Sequence, residues 1–175
     1  MAYKIISCER DSTYRYSLVV ETDCSSNRKL VVIQCNPSEA KENRSDSTVG
    51  KVSKWAEENS FYEVVFLNLF AYVSPYISEL MGKKYSILVG PKNDKTLQEH
   101  ISQNTTIVLA WGGDIPVPND LYIKRVKEIR EIMEKANAFP HRVGALAYGT
   151  YPRHGRMWNK GYRELYSLNW SEIIA

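Results

Sequence analysis

The stretch Val31-Val32-Ile33-Gln34-Cys35-Asn36-Pro37-Ser38 is an apolar run that breaks into polar, turn-forming residues, and two later stretches follow the same plan. These are Val64-Val65-Phe66-Leu67-Asn68-Leu69-Phe70 and Ile107-Val108-Leu109-Ala110-Trp111-Gly112-Gly113. In an open α/β sheet the ligand crevice lies beyond the carboxyl ends of parallel strands, so Asn36, Asn68 and Trp111-Gly112 are expected to converge although they are far apart in the chain. A fourth block, Tyr151-Pro152-Arg153-His154-Gly155-Arg156, follows a weaker run, Val143-Gly144-Ala145-Leu146-Ala147, and brings a histidine between two arginines.

Between these runs the hydrophobic period changes from strand-like to helical. Tyr14 to Glu21 alternates, with Tyr16, Leu18 and Val20 on one face, and Cys24-Ser25-Ser26-Asn27-Arg28 is expected to turn it into a β-hairpin with the Leu30–Gln34 strand. Ser45-Asp46-Ser47 can cap a helix carrying Val49, Val52, Trp55 and Ala56, and Asn59-Ser60 can stop it. Pro91-Lys92-Asn93-Asp94 starts another, with Leu97 and Ile101 inward. The clearest amphipathic helix is Leu121–Asn137, with Tyr122, Val126, Ile129 and Met133 on one stripe. Strands alternating with helices of this length predict a mainly parallel sheet, right-handed crossovers and helices on both faces.

The 175 residues suit one domain, which buries roughly two-thirds of its unfolded surface. Hydrophobic content of 43% and charged content of 25% are those of a soluble globular chain, which speaks against disorder. A net charge of +3 is only weakly basic, so affinity for nucleic acid has to come from local clustering. Cys8, Cys24 and Cys35 lack metal-ligand spacing, the Met-Ala-Tyr-Lys start has no apolar signal segment, and no apolar run approaches a membrane span. A reduced, cytoplasmic, membrane-free protein without metal or other cofactor is the expectation.

Each candidate residue has a plain alternative. Asn36-Pro37-Ser38 is either a simple strand-to-loop turn or a site in which the Asn holds a water or reads a base edge. Asn68 interrupts an apolar run, where a buried amide ties down a loop or reads a ligand. Trp111-Gly112-Gly113 is a packing Trp before a tight turn, or a place of close backbone approach. Arg153, His154, Arg156, Trp158, Lys160, Tyr162 and Arg163 interleave bases with aromatics, as phosphate contacts and base stacking require, or form a solvated basic loop. Cys35 is read as a small buried residue rather than a nucleophile.

In order, Tyr14-Arg15-Tyr16, Asn36-Pro37-Ser38 with Ala40, Asp46-Ser47-Thr48, Asn68-Leu69-Phe70-Ala71, Val89-Gly90-Pro91 with Asn93-Asp94, Ala110-Trp111-Gly112 and Pro152-Arg153-His154 resemble the DUF1643 family of uncharacterised domains. That family usually has Pro after the histidine, where this chain has Gly155. The pattern in turn resembles the uracil-DNA glycosylase superfamily, which implies a three-layer α/β/α sandwich. By that resemblance Asn36 positions the attacking water and His154 stabilises the departing base. Cys35, Ser38, Asn68, Phe70 and Trp111 shape the base pocket, and Arg153, Arg156, Lys160 and Arg163 hold phosphate. Ser38 stands where uracil-specific enzymes carry a bulky aromatic, which implies room for a 5-substituted pyrimidine.

The implied function is hydrolysis of the N-glycosidic bond of a flipped pyrimidine, with nucleic acid, DNA ahead of RNA, or a nucleotide as partner. Breaking that bond needs a donor at the base carbonyl and a placed water, and the target base must leave the stack. No Asp or Glu sits in the strand-end motifs, which is the argument for the alternative of a non-catalytic nucleic-acid- or nucleotide-binding module of the same fold. A protein-binding role for the strand-end loops is the third reading.

Overall fold

The computed structural model describes residues 3–37, 47–74 and 76–173. Among these residues seven strands form one sheet: β1 (Tyr3–Arg10), β2 (Arg15–Thr22), β3 (Lys29–Gln34), β4 (Glu63–Asn68), β5 (Thr106–Leu109), β6 (Pro140–Val143) and β7 (Leu165–Ser167). Four α-helices accompany them: α1 (Ser47–Glu58), α2 (Tyr85–Val89), α3 (Asn93–His100) and α4 (Asn119–Lys135). The spatial order is β1-β2-β4-β3-β5-β6-β7. Its centre, β4-β3-β5-β6, is parallel, and antiparallel strands flank it on both sides.

The centre is parallel because its strands are apolar on successive residues. Val31, Ile33 and Cys35 belong with Val65, Leu67, Ile107 and Leu109 to the core beneath α3 and α4, together with Leu97, Val126, Ile129 and Met133. Leu30 and Val32 join Val64, Phe66 and Val108 in a second core against Val49, Val52, Trp55 and Ala56 of α1. Such strands need helices on both faces, and a helix between each pair is what makes neighbours run parallel. Trp158 closes the second core edge-on to Trp55, with ring centroids 5.0 Å apart.

The hairpin expected between the Tyr14 strand and the Leu30 strand does not form. Both edges of β3 are taken by β4 and β5, so β2 pairs instead with β1 and, antiparallel, with β4. Tyr62 steers the chain past: its N–H donates to the Arg28 carbonyl (2.9 Å) and its carbonyl accepts from Thr22 N–H (2.8 Å). The N-terminal hairpin is therefore β1–β2. β1 is an edge strand with two register shifts, at Ile5/Ser7 and Glu9/Arg10, and its adjacent apolar pair Ile5-Ile6 breaks the alternation that would mark a strand. The strand expected from Val143 is shorter and earlier, Pro140–Val143, because the chain turns away at Gly144, whose N–H bonds the Glu164 carbonyl. Pro140 is admissible as a first strand residue. The short α2 and β7 carry no readable period. Of the expected cap on α1, Ser45 and Asp46 lie outside the described residues.

An ion cluster built on one buried arginine fixes where β4 ends. Arg125 of α4 is fully buried, and its Nε donates to the Leu69 carbonyl at 2.6 Å. Nη1 donates to Glu128 Oε2 at 2.8 Å, and Nη2 lies 2.7 Å from Asp94 Oδ1 as a charge contact off the line of its N–H bonds. Tyr85 O–H donates to the same Glu128 oxygen, and burial is the first cause that holds its phenol protonated far above the ordinary range. Asn93 Nδ2 donates to the carbonyls of Asn68 and Leu69, both at 3.1 Å. The backbone leaving β4 is thus bonded from α3 and α4 at once.

Arg125→Ala takes the shorter of two hydrogen bonds from the Leu69 carbonyl, deprives Glu128 of its cation and leaves a void in the core, and we expect it to lower unfolding free energy by about 3 kcal/mol. Asp94, with a 53% exposed side chain, can rehydrate, so Asp94→Asn is expected to cost under about 1 kcal/mol. Urea unfolding of the two variants checks this, and equal losses would contradict it.

Candidate functional site

The carboxyl ends of β3 and β5 and the loops after β6 surround one cavity of about 440 Å³. Cys35 and Asn36 directly follow β3, Trp111 to Asp114 follow β5, and Ala147, Tyr148, Arg153, His154, Arg156 and Met157 come from the chain between β6 and β7. Gly112 N–H bonds the Pro152 carbonyl at 2.8 Å, which ties the end of β5 to the histidine loop.

The glycine pair after Trp111 seats two side chains. Gly112 has φ +76°, and a Cβ there would lie 3.1 Å from His154 Cβ. At Gly113 a Cβ would meet the Tyr148 ring at 2.6 Å. Only residues without side chains let His154 and Tyr148 lie against the end of β5. Gly155, where the family resemblance leads one to expect proline, is explained in the same way: its Cβ would fall 2.6 Å from Val52 Cγ2, so the histidine loop packs directly on α1.

His154 caps a short 3-10 turn, Gly155–Met157, its Nδ1 accepting from Arg156 N–H at 3.2 Å. A neutral ring that accepts at Nδ1 carries its proton on Nε2 and is a donor there. The Asn36 amide donates to the Pro37 carbonyl at 3.3 Å.

The two cavity arginines differ. Arg153 is held internally: Nε bonds the Ala145 carbonyl at 2.8 Å, Nη2 the Leu146 carbonyl at 3.3 Å, and the guanidinium lies 3.7 Å from the centre of the Tyr162 ring. Arg156 is more than half exposed and meets Asp114 Oδ2 at 3.4 Å, a long pair in water that a competing anion can replace.

The remaining sequence candidates are dispersed. Cys35 lines the cavity but is buried, and desolvation pushes its thiol up to about 12. Trp111 also lines it, yet it is 1% exposed and its indole N–H donates to Tyr122 O–H at 3.0 Å, so it is wall rather than stacking platform. Phe70 is wholly buried, edge-on to Tyr85, and is not among the lining residues. Asn68 is 1% exposed and likewise off the lining; Nδ2 donates to the Arg15 carbonyl at 3.4 Å, while its buried Oδ1 lacks a partner. Lys160 is exposed and away from the cavity. Arg163 pairs with Glu58, and its carbonyl accepts the Trp55 indole N–H at 2.8 Å, so it braces α1. Ser38 lies outside the described residues.

Asp114, Tyr148 and Met157 are cavity residues that the sequence reading passed over. Asp114 directly follows the glycine pair and was within reach of the same argument. Tyr148 sits in a turn whose only signal is the Gly149 beside it. Among the described residues, no group of three or more His, Cys, Asp or Glu is arranged to hold a metal ion, and no helix is long and apolar enough to cross a membrane.

A family model described as "Protein of unknown function (DUF1643)" matches residues 15–155. The chain belongs to the DUF1643 family. No curated protein and no solved structure matches it. The DUF1643 match begins in β2 and ends one residue beyond His154, so it takes in every strand end around the cavity, whereas Arg156, Lys160, Arg163 and β7 fall outside it.

Cys35 has a pH signature. Its folded pKa is raised above the ordinary thiol value of 9.0, so the stability tied to the protonated thiol is fully present below about pH 9 and is lost as pH climbs toward about 12. We expect the urea midpoint of the wild type to fall more between about pH 8 and about pH 10.5 than that of Cys35→Ala. Parallel declines in the two proteins would count against a buried, proton-holding thiol.

Proposed function

We propose that the cavity receives a pyrimidine-like base and that the chain hydrolyses the N-glycosidic bond joining that base to its sugar, in the manner of the uracil-DNA glycosylases its motifs resemble. The observation that carries this reading is the His154–Arg156 hydrogen bond: a ring that accepts at Nδ1 has Nε2 as its donor, in the same cavity wall as Asn36. As the bond breaks, the electron pair leaves with the base, and a donor is worth most against charge that exists only at that stage. Water, held by the Asn36 amide, adds its oxygen to the sugar carbon, and its proton ends on the departing base. Arg156, once it releases Asp114, is suited to a phosphate oxygen beside the sugar.

One observation favours a binding module without catalysis. Asp114 is the lone carboxylate lining the cavity among the described residues, and it is paired with Arg156, so no free base activates the water.

Oligonucleotides carrying uracil or 5-substituted pyrimidines, incubated with the protein and then treated with alkali, separate the two. Strand breaks at the modified base are expected, with single-turnover release lowered roughly a hundredfold in His154→Ala while binding is nearly kept. Arg156→Gln is expected to reduce the logarithmic salt slope of single-strand binding by about 0.7. Binding without release from any substrate would leave the module reading in place of the enzyme.

A further inference from the structure

We infer that Tyr148 is the aromatic surface on which the bound base stacks, a role no motif in the chain marks. The inference rests on the base-binding reading of the cavity and names the residue that supplies its flat contact. Three observations converge on it. Among the cavity's aromatic lining residues, Trp111 is 1% exposed and committed to Tyr122, whereas Tyr148 is 81% exposed. Its backbone is held at φ +50°, a left-handed conformation that a bulky residue adopts only at a cost. The turn that imposes it is closed by the Ala147–Tyr151 bridge, with Ala147 N–H on the Tyr151 carbonyl at 2.8 Å and Tyr151 N–H on the Ala147 carbonyl at 3.0 Å.

The ring's position is set from beneath. Gly113 admits the edge of the Tyr148 ring at Cδ2 and Cε2, so the ring rests against the end of β5 at the cavity while most of its surface stays in water. A ring that meets backbone along one edge and keeps most of its surface open at the cavity can serve as a stacking platform. Because every base has a π-face, the contact selects for a planar heteroaromatic ligand over a bare sugar phosphate, with little preference among bases. Selection of the base edge then falls to the polar groups deeper in the wall.

The test compares a short single-stranded oligothymidylate with the same strand made abasic throughout, measured by titration calorimetry. Wild type is expected to prefer the base-bearing strand. Tyr148→Ala is expected to lose roughly tenfold or more of that preference with affinity for the abasic strand unchanged, and Tyr148→Phe, which keeps the ring, to restore it. Gly113→Ala, which displaces the ring, is expected to mimic Tyr148→Ala; thermal unfolding of each variant checks that the fold is kept. A wild-type preference that survives Tyr148→Ala overturns the stacking role and leaves base binding standing. Loss of preference in Tyr148→Phe equal to that in Tyr148→Ala assigns the effect to the hydroxyl and also overturns it. A wild type indifferent to the presence of bases overturns the base-binding reading and this inference together.

Discussion

Parallel pairing of β3 with β4 on one side and β5 on the other is the constraint from which the rest of the molecule follows. A strand with parallel neighbours on both edges needs a crossover to each, and those crossovers bury it from above and below. Leu30, Val31, Val32 and Ile33 are all essentially inaccessible, and no half-exposed strand could take this place. The same pairing sends three carboxyl ends to one edge of the sheet. It also excludes β2 from β3, which is why the hairpin forms with β1.

Parallel ends alone make an edge, not a site. The end of β4 is bonded into α3 and α4 by Arg125 and Asn93, and its Asn68 and Phe70 become part of the packed interior. Past β5 the Trp111 indole is bonded to Tyr122 of α4, but the glycine pair that follows leaves room that the loops after β6 fill with Tyr148 and His154. The cavity therefore opens between β3 and β5, the middle of the parallel set, and not over β4. That asymmetry explains why Asn36 and His154 share a wall while Asn68, in register with Gln34 of β3, does not.

The basic tail shows how a charge pattern divides once folded. Arg153, Arg156, Lys160 and Arg163 read as one cluster in the chain, yet a 3-10 turn and the packing of Trp158 against Trp55 point them to different duties. Arg153 is spent on two carbonyls and a tyrosine face, Arg163 on Glu58, and Arg156 alone stands at the cavity beside an acid it can leave.

The amino-acid sequence by itself determined the class of fold, because hydrophobic period is a local property: apolar runs such as Val64–Leu67 and the stripe Tyr122–Met133 state strand or helix without reference to anything distant. It also placed Asn36, Asn68 and Trp111-Gly112 at one edge, since strand ends in a parallel sheet point the same way, but it did not decide which of them line the cavity, and Asn68 does not. Tertiary structure alone decided which polar residues are buried and which are usable. Arg125 falls at helical spacing on the stripe of Tyr122, Ile129 and Ile132, but what makes a cation tolerable there is a carbonyl at Leu69, far along the chain. Nor could local pattern separate Tyr148 from the other tyrosines: its place follows from a glycine on another strand and a turn closed by its own backbone, contacts that exist only after the sheet has assembled.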